Sequence, residues 1–212
     1  MHSDVLNHWF EQVTTPDLVL GYGSLMSADS RQRYSAIHVP GLPVHVSGFY
    51  RAWVTRSVSE RQTYVGALPE VSARLNAQLI PTVIDPSLQD REKDYRFVQV
   101  SPDKLTSSLT REQHDTLVNW LDEKTVWICQ TLDDQPADDT HPVSQTYIDT
   151  CLSGCLEHGG INEARQFIET TRGWSHPRIN DRVTPRYPRA ARVCPSLYER
   201  IDALLEAHEK AD

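Results

Sequence analysis

Leu18-Val19-Leu20-Gly21-Tyr22-Gly23-Ser24-Leu25 decides how the rest of this 212-residue chain is read. Three consecutive branched apolar residues suit a short strand buried on both faces. The glycines that follow bracket a turn. Glycine allows positive φ and close approach of a ligand to the backbone. Successive N–H groups at such a turn form a concavity suited to a carboxylate or an oxyanion. The turn is not a P-loop, because G-x-x-x-x-G-K-[ST] is absent, and it lacks the third glycine of a dinucleotide fingerprint. Ser24 stands in G-Y-G-S-L rather than G-x-S-x-G, so no nucleophile elbow is present. On spacing alone, such a turn is most often a plain strand exit.

Working outward, Ser3 to Gln12 reads as a helix capped by Ser3 or Asp4, and Pro16-Asp17 break it from the strand. Ser27 to Tyr34 reads as a helix capped by Ser27. After Pro40-Gly41 and Pro43, strands are predicted over Val44 to Val54, Thr63 to Leu68, Leu75 to Val83, Tyr95 to Val100 and Thr125 to Thr131. Pro81 makes the far end of the third an edge or a terminus. Thr110-Arg111-Glu112-Gln113 is a capping box opening a helix to about Leu121.

A polar loop spans Asp133 to Pro142, and the character then turns helical. Tyr147, Ile148, Cys151, Leu152, Cys155 and Leu156 lie on one face, with Ser144 as cap and Gly159-Gly160 as stop. A second helix runs from Ile161 to about Thr171. Residues 174–195 hold Pro177, Pro185, Pro188 and Pro195 without any period, so they read as an extended connection. A last helix opens on Pro195 with the stripe Leu197, Ile201, Leu204, Leu205 and His208. Strands gather before residue 131 and helices after it, which favours α+β, or a mixed barrel with helical cover, over an alternating α/β fold.

Hydrophobic residues make up 39% of the chain and charged residues 24%, ordinary for a soluble globular protein. No apolar run approaches the length of a membrane span, so no membrane partner is expected. No basic segment followed by an apolar one opens the chain, so it reads as cytoplasmic. The net charge of -8 makes a poor nucleic-acid binder. Cys129, Cys151, Cys155 and Cys194 form no C-x-x-C pair and are expected to be reduced. Cys151, Cys155 and His158 share a helix face, but without a fourth ligand they read as core rather than metal, and no metal is called. His38, His45, His114 and His141 are scattered and read as surface or satisfied side chains.

Glu92 sits in Asp90-Arg91-Glu92-Lys93-Asp94. Composition alone makes this a solvated turn. Turned inward beside the glycine turn, in a partly dry pocket, Glu92 would see its pKa rise and could accept and return a proton.

Taken together, these segments resemble the gamma-glutamylcyclotransferase-like superfamily. The Y-G-S-L turn is Tyr22 to Leu25, and Gly48-Phe49-Tyr50-Arg51-Ala52-Trp53 is similar to the family's following strand. Asp90-Arg91-Glu92-Lys93-Asp94-Tyr95 is similar to its glutamate segment, and Tyr147 to the tyrosine opening its later helix. The likeness covers about residues 17 to 158. It implies a small mixed β-barrel with flanking helices over residues 1–158; the helical, Pro/Arg-rich stretch at 159–212 lies outside the likeness and is expected to extend the fold, packed on the same domain. It also implies intramolecular cyclisation of a gamma-glutamyl amide to 5-oxoproline with release of an amine or amino acid, without a cofactor. Glu92 would be catalytic, and Tyr22, Gly23, Ser24, Leu25 and Tyr147 would bind substrate. The chain departs from the family at Leu75-Asn76-Ala77-Gln78-Leu79, which lacks the usual glycine and would set Ala77 or Gln78 against the pocket. The alternative is a non-catalytic small-molecule binding protein using the same pocket. The oligomeric state stays open.

Arg outnumbers Lys seventeen to four, and seven arginines lie between Arg165 and Arg192 against Glu169 and Asp181. Either these arginines pair with surface carboxylates and pin an irregular segment, or the segment crosses the pocket mouth and selects an anionic substrate.

Overall fold

A strand whose successive side chains are all apolar must be covered on both faces, and β1 (Asp17–Gly21) is: Leu18, Val19 and Leu20 are at most 1% exposed. The computed structural model describes residues 3–211. Before β1 lies α1 (Ser3–Gln12), over the predicted span; the side chains of its candidate caps, Ser3 and Asp4, fall outside what is described. After the glycine turn come α2 (Ala28–Ser35), β2 (Leu42–Ser57), β3 (Gln62–Pro81), α3 (Pro86–Arg91), β4 (Tyr95–Gln99), β5 (Leu105–Thr106), α4 (Arg111–Leu121) and β6 (Thr125–Thr131). The remainder holds β7 (Val143–Ser144), α5 (Gln145–Glu169), β8 (Thr171–Arg172), β9 (Arg178–Ile179) and α6 (Pro195–Glu209).

The fold is α+β, built on one mixed sheet in the order β4-β6-β1-β3-β2-β5, with β8 added on β2. β1 runs antiparallel to β3 and parallel to β6. The expected barrel is a curled half-barrel. β1 ends at Gly21, and beyond it β3 and β6 meet directly, Ala67 opposite Gln130. That pinch curls the sheet. Among the described residues β4 and β5 do not pair with each other, so the sheet stays open.

The two strands expected over 63–68 and 75–83 are one, β3. The stretch between them reads as a break because it is exposed, Val71 to 98%. β2 is long enough to pair with both halves, and the mismatch is absorbed where the register jumps between Ser47 and Phe49, at Gly48 with φ +91°. Pro81 ends the strand. A helix that periodicity did not reveal, α3, carries the glutamate segment. Its signal was local: Pro86 opens it, and the Asp85 carboxylate accepts the Leu88 N–H at 2.8 Å.

Other starts follow the sequence. The Ser27 hydroxyl accepts the Ser30 N–H at 3.4 Å, and the Thr110–Gln113 capping box is made in both directions. Ser144 holds the cap position of α5, but its side chain makes no cap bond. Asp181 makes it instead, accepting from the Thr146 N–H at 2.8 Å and the Thr146 hydroxyl at 2.6 Å. The orphan N–H groups of a helix start take whichever acceptor the tertiary fold delivers. The predicted stop at Gly159-Gly160 is a kink inside α5, with Gly160 at φ +65°. Cys151 and Cys155 are fully buried in the core. No helix among the described residues is long and apolar enough to cross a membrane.

Candidate active site

The strand exit at Gly21 tightens into a single 3-10 turn, Ser24–Met26, closed by the Met26 N–H on Gly23 O at 2.9 Å. The N–H groups of Gly23, Ser24 and Leu25 precede that first bond and find no partner within the turn. Behind the turn lies the buried Arg31, whose Nη1 donates to Leu25 O at 2.6 Å, Met26 O at 2.9 Å and Gln78 Oε1 at 3.1 Å. Burial pushes its guanidinium down to about 10, still cationic at neutral pH. Gln78 also donates to Met26 O at 3.2 Å. Neither Ala77 nor Gln78 lines the cleft; Gln78 instead supports the turn through Arg31 and Met26 O. Gly154 of α5 packs against the same turn, and a Cβ there would lie 2.3 Å from Met26 C and 2.4 Å from Ser27 N.

Tyr22 fills the gap left where β1 ends. Its hydroxyl donates to Cys129 O in a short bond and accepts the Ala67 N–H at 3.1 Å, tying β6 to β3. Burial raises its pKa well above the ordinary tyrosine value, so it stays protonated. Its hydroxyl is thus committed to the sheet.

Glu92 stands at the C-terminal cap of α3 and is clamped by its backbone. Its N–H donates to Leu88 O at 2.9 Å, and its carbonyl accepts the Tyr95 N–H at 2.9 Å. The carboxylate is 13% exposed. Burial raises its pKa above the ordinary carboxylate value, while the guanidiniums of Arg91 and Arg189 pull it partly back. Arg91 links this carboxylate to the glycine turn. Its Nε donates to Glu92 Oε1 at 3.2 Å, its Nη2 to Ser24 Oγ at 3.2 Å, and its Nη1 to Ser35 Oγ in a short bond.

The cleft these groups line holds about 110 Å³. That is small beside the ~300–1,000 Å³ typical of drug-sized sites, and fits one compact polar moiety. Tyr147, the third residue of α5, forms its floor, 4.7 Å from Tyr64 and 4.8 Å from Tyr187 between ring centroids. Glu60 is held by a short bond from the Tyr64 hydroxyl and by Arg189 Nη1 at 3.5 Å. Tyr187 is 2% exposed and donates to Ser24 Oγ at 2.7 Å.

All the residues singled out in the sequence (Glu92, Tyr22, Gly23, Ser24, Leu25 and Tyr147) line this one cleft. Sequence reasoning passed over Arg91, Glu60 and Tyr64. Arg91 was visible in the glutamate segment as a charge beside a charge; nothing in the sequence marked Glu60. The basic C-terminal segment is held by ion pairs, as the first of the two readings made of it has it. Arg182 pairs with Asp149 and Asp202 at 2.7 Å each, and Arg178 pairs with Glu209, which pins the segment. Tyr187 and Arg189 nevertheless reach the cleft.

Solved structures share this architecture. One is a gamma-glutamyl cyclotransferase, at TM-score 0.52 and 10% identity over 88% of this chain and 98% of that one. The chain has the gamma-glutamyl cyclotransferase fold. An uncharacterized human protein matches at TM-score 0.52 and 12% identity, covering 87% of this chain and 97% of that one. YkqA from Bacillus subtilis matches at TM-score 0.53 and 13% identity, over 82% of this chain and 60% of YkqA. No family model and no curated protein matches the sequence. At such identities the cyclotransferase fold is shared, and the chemistry has to be argued from the cleft.

Proposed function

We propose that this protein cyclises a gamma-glutamyl amide to 5-oxoproline and releases an amine or amino acid. The observation that carries the reading is the Arg91 guanidinium, which joins the buried Glu92 carboxylate to Ser24 of the glycine turn inside one small cleft. Glu92 takes a proton from the substrate's α-ammonium. The freed amine attacks the γ-carbonyl carbon, forming the ring C–N bond and placing negative charge on the carbonyl oxygen. N–H groups of Gly23, Ser24 and Leu25 hold that oxygen. Glu92 gives its proton to the departing nitrogen and the original C–N bond breaks. The ring nitrogen, still carrying two protons after the attack, sheds one through Glu92 to the released amine, so 5-oxoproline leaves as the neutral lactam and the amine as its ammonium. Nucleophile and electrophile are in one molecule, so the protein's task is folding the substrate, passing protons from the attacking nitrogen to the departing one and holding one charge. The raised pKa of Glu92 brings it nearer the operating pH, as a group that both accepts and donates requires.

A binding protein without turnover is favoured by one feature: a guanidinium on Glu92 lowers its basicity. The experiment that separates the readings is 5-oxoproline release from a panel of gamma-glutamyl amides, with Glu92→Gln alongside. Release from the wild type that falls at least ~10²–10³-fold in the variant supports the enzyme. Full turnover by Glu92→Gln on a confirmed substrate would sink this mechanism.

A further inference from the structure

Ser24 Oγ accepts two hydrogen bonds, from Arg91 Nη2 at 3.2 Å and from Tyr187 Oη at 2.7 Å. A hydroxyl has two lone pairs and one proton, and a guanidinium only donates. With both lone pairs occupied, the Ser24 proton must go to a third group. Among the described residues Ser24 donates to none, although it is only 9% exposed. Its proton is therefore left for whatever oxygen occupies the cleft. We infer that Tyr187, reaching in from the C-terminal segment, is a positioning residue that orients the Ser24 hydroxyl as a hydrogen-bond donor to the substrate's reacting carbonyl oxygen. This rests on the cyclisation reading and adds a side-chain donor to the backbone groups of the turn.

The placement of Tyr187 is built rather than incidental. Its ring packs against Tyr64 at 5.4 Å and Tyr147 at 4.8 Å between centroids. On one side of it, the Arg186 N–H donates to Asp181 at 2.7 Å and Arg186 O accepts from Gln62 at 3.0 Å. On the other, Arg189 O accepts the Ser30 hydroxyl at 2.8 Å. A phenylalanine would keep the ring contacts and remove the hydroxyl, with the proton it donates to Ser24 and the hydrogen bond it shares with Arg189. Ser24 would then be free to turn its own proton toward other acceptors.

The test is a double-mutant cycle on the full chain, using a gamma-glutamyl amide from which the wild type releases 5-oxoproline. An interaction that strengthens as charge develops on the carbonyl oxygen appears in kcat. Tyr187→Phe is expected to lower kcat about tenfold, one hydrogen bond's worth, with KM changed less than about twofold. Ser24→Ala is expected to lower it further, by about 10²-fold. The double variant should then match Ser24→Ala, because Tyr187 acts through a hydroxyl that is no longer there. Ser24→Gly serves as a second hydroxyl-free background in case the alanine disturbs the turn. Additive losses, or a Tyr187→Phe with wild-type kcat, overturn the assignment while leaving the cyclisation reading standing. A well-folded wild type that releases no 5-oxoproline from any substrate overturns the reading, and the assignment with it.

Discussion

The two walls of the cleft are held in different ways. The wall made by the Tyr22–Leu25 turn is fixed by backbone packing: Gly154 of α5 admits no Cβ against Met26 and Ser27, and Gly23 would drive one to 2.8 Å from the Tyr147 hydroxyl. The wall made by residues 181–192 has few strand or helix bonds of its own and is pinned by polar contacts: Asp181 on Thr146 and Arg186, Arg182 on Asp149 and Asp202, and the Arg192 N–H on Asp29. Close packing fails abruptly when an atom is added, whereas hydrogen bonds are lost one at a time at about 0.5–3 kcal/mol each. Damage to the first wall should therefore register in fold and site together. Damage to the second should register in the site first.

The harshest way to break this contrast is Gly154→Ala. The added methyl meets backbone, which cannot swing aside, so the expected cost is at least ~3 kcal/mol, a fall in Tm of roughly 10 °C for a chain of this size. Thermal unfolding that leaves Tm within 2–3 °C (about 1 kcal/mol) would mean that the turn is softer than it looks. Asp181→Ala comes next. It removes a helix cap and the anchor of Arg186, and should cost about 2 kcal/mol by denaturant titration. Its kcat should fall by more than the stability loss explains, because Tyr187 loses its tether; unchanged kcat at a temperature where the variant is folded would contradict a pinned second wall.

Subtler probes sharpen the electrostatics of the junction between the walls. Arg91 holds the Glu92 pKa down, so Arg91→Met should let it climb further. The base must be ionised to work, so the acid limb of the kcat/KM profile should move to higher pH; a shift the other way is inconsistent with Glu92 as base. Because the folded-state pKa of Glu92 is raised, the folded protein binds that proton more tightly than the unfolded chain and is penalised once the group ionises. Glu92→Gln should accordingly raise Tm at pH 7, with the gain fading as pH falls through the raised folded value and absent below the unfolded value of about 4.3. The mildest expectation is Arg172→Ala. Its bidentate pair with Glu70, at 2.7 and 2.8 Å, and its stacking on Tyr50 lie at the surface. Their loss should lower Tm by at most about 3 °C and leave activity within error.

Much of this architecture was legible in the chain. The strand at Leu18–Leu20, the Ser27 cap, the Thr110–Gln113 capping box and the break at Gly159-Gly160 all depend on residues within a turn or two of each other, and all appear. The misreadings have a common cause. The exposed stretch around Val71 reads as a break because nothing local shows that β2 pairs with the residues on both sides of it. Ser144 reads as a cap because Asp181, the residue that delivers the bond, is far along the chain. α3 is the exception: Asp85-Pro86 announced it locally, but the charged run that follows masked a helical period.

By itself, then, the sequence determined the local pieces: a glycine turn at the end of a buried strand, a glutamate just ahead of the next strand, and a tyrosine near the start of a long helix. Short-range sterics and capping are enough to specify these. Only the tertiary structure decided that the pieces face one cleft, that Arg91 joins Glu92 to Ser24, that Tyr187 arrives from the C-terminal segment, and that the sheet stops at a half-barrel. It also decided the raised pKa of Glu92, since desolvation belongs to what is packed around a carboxylate and not to the residues beside it in the chain.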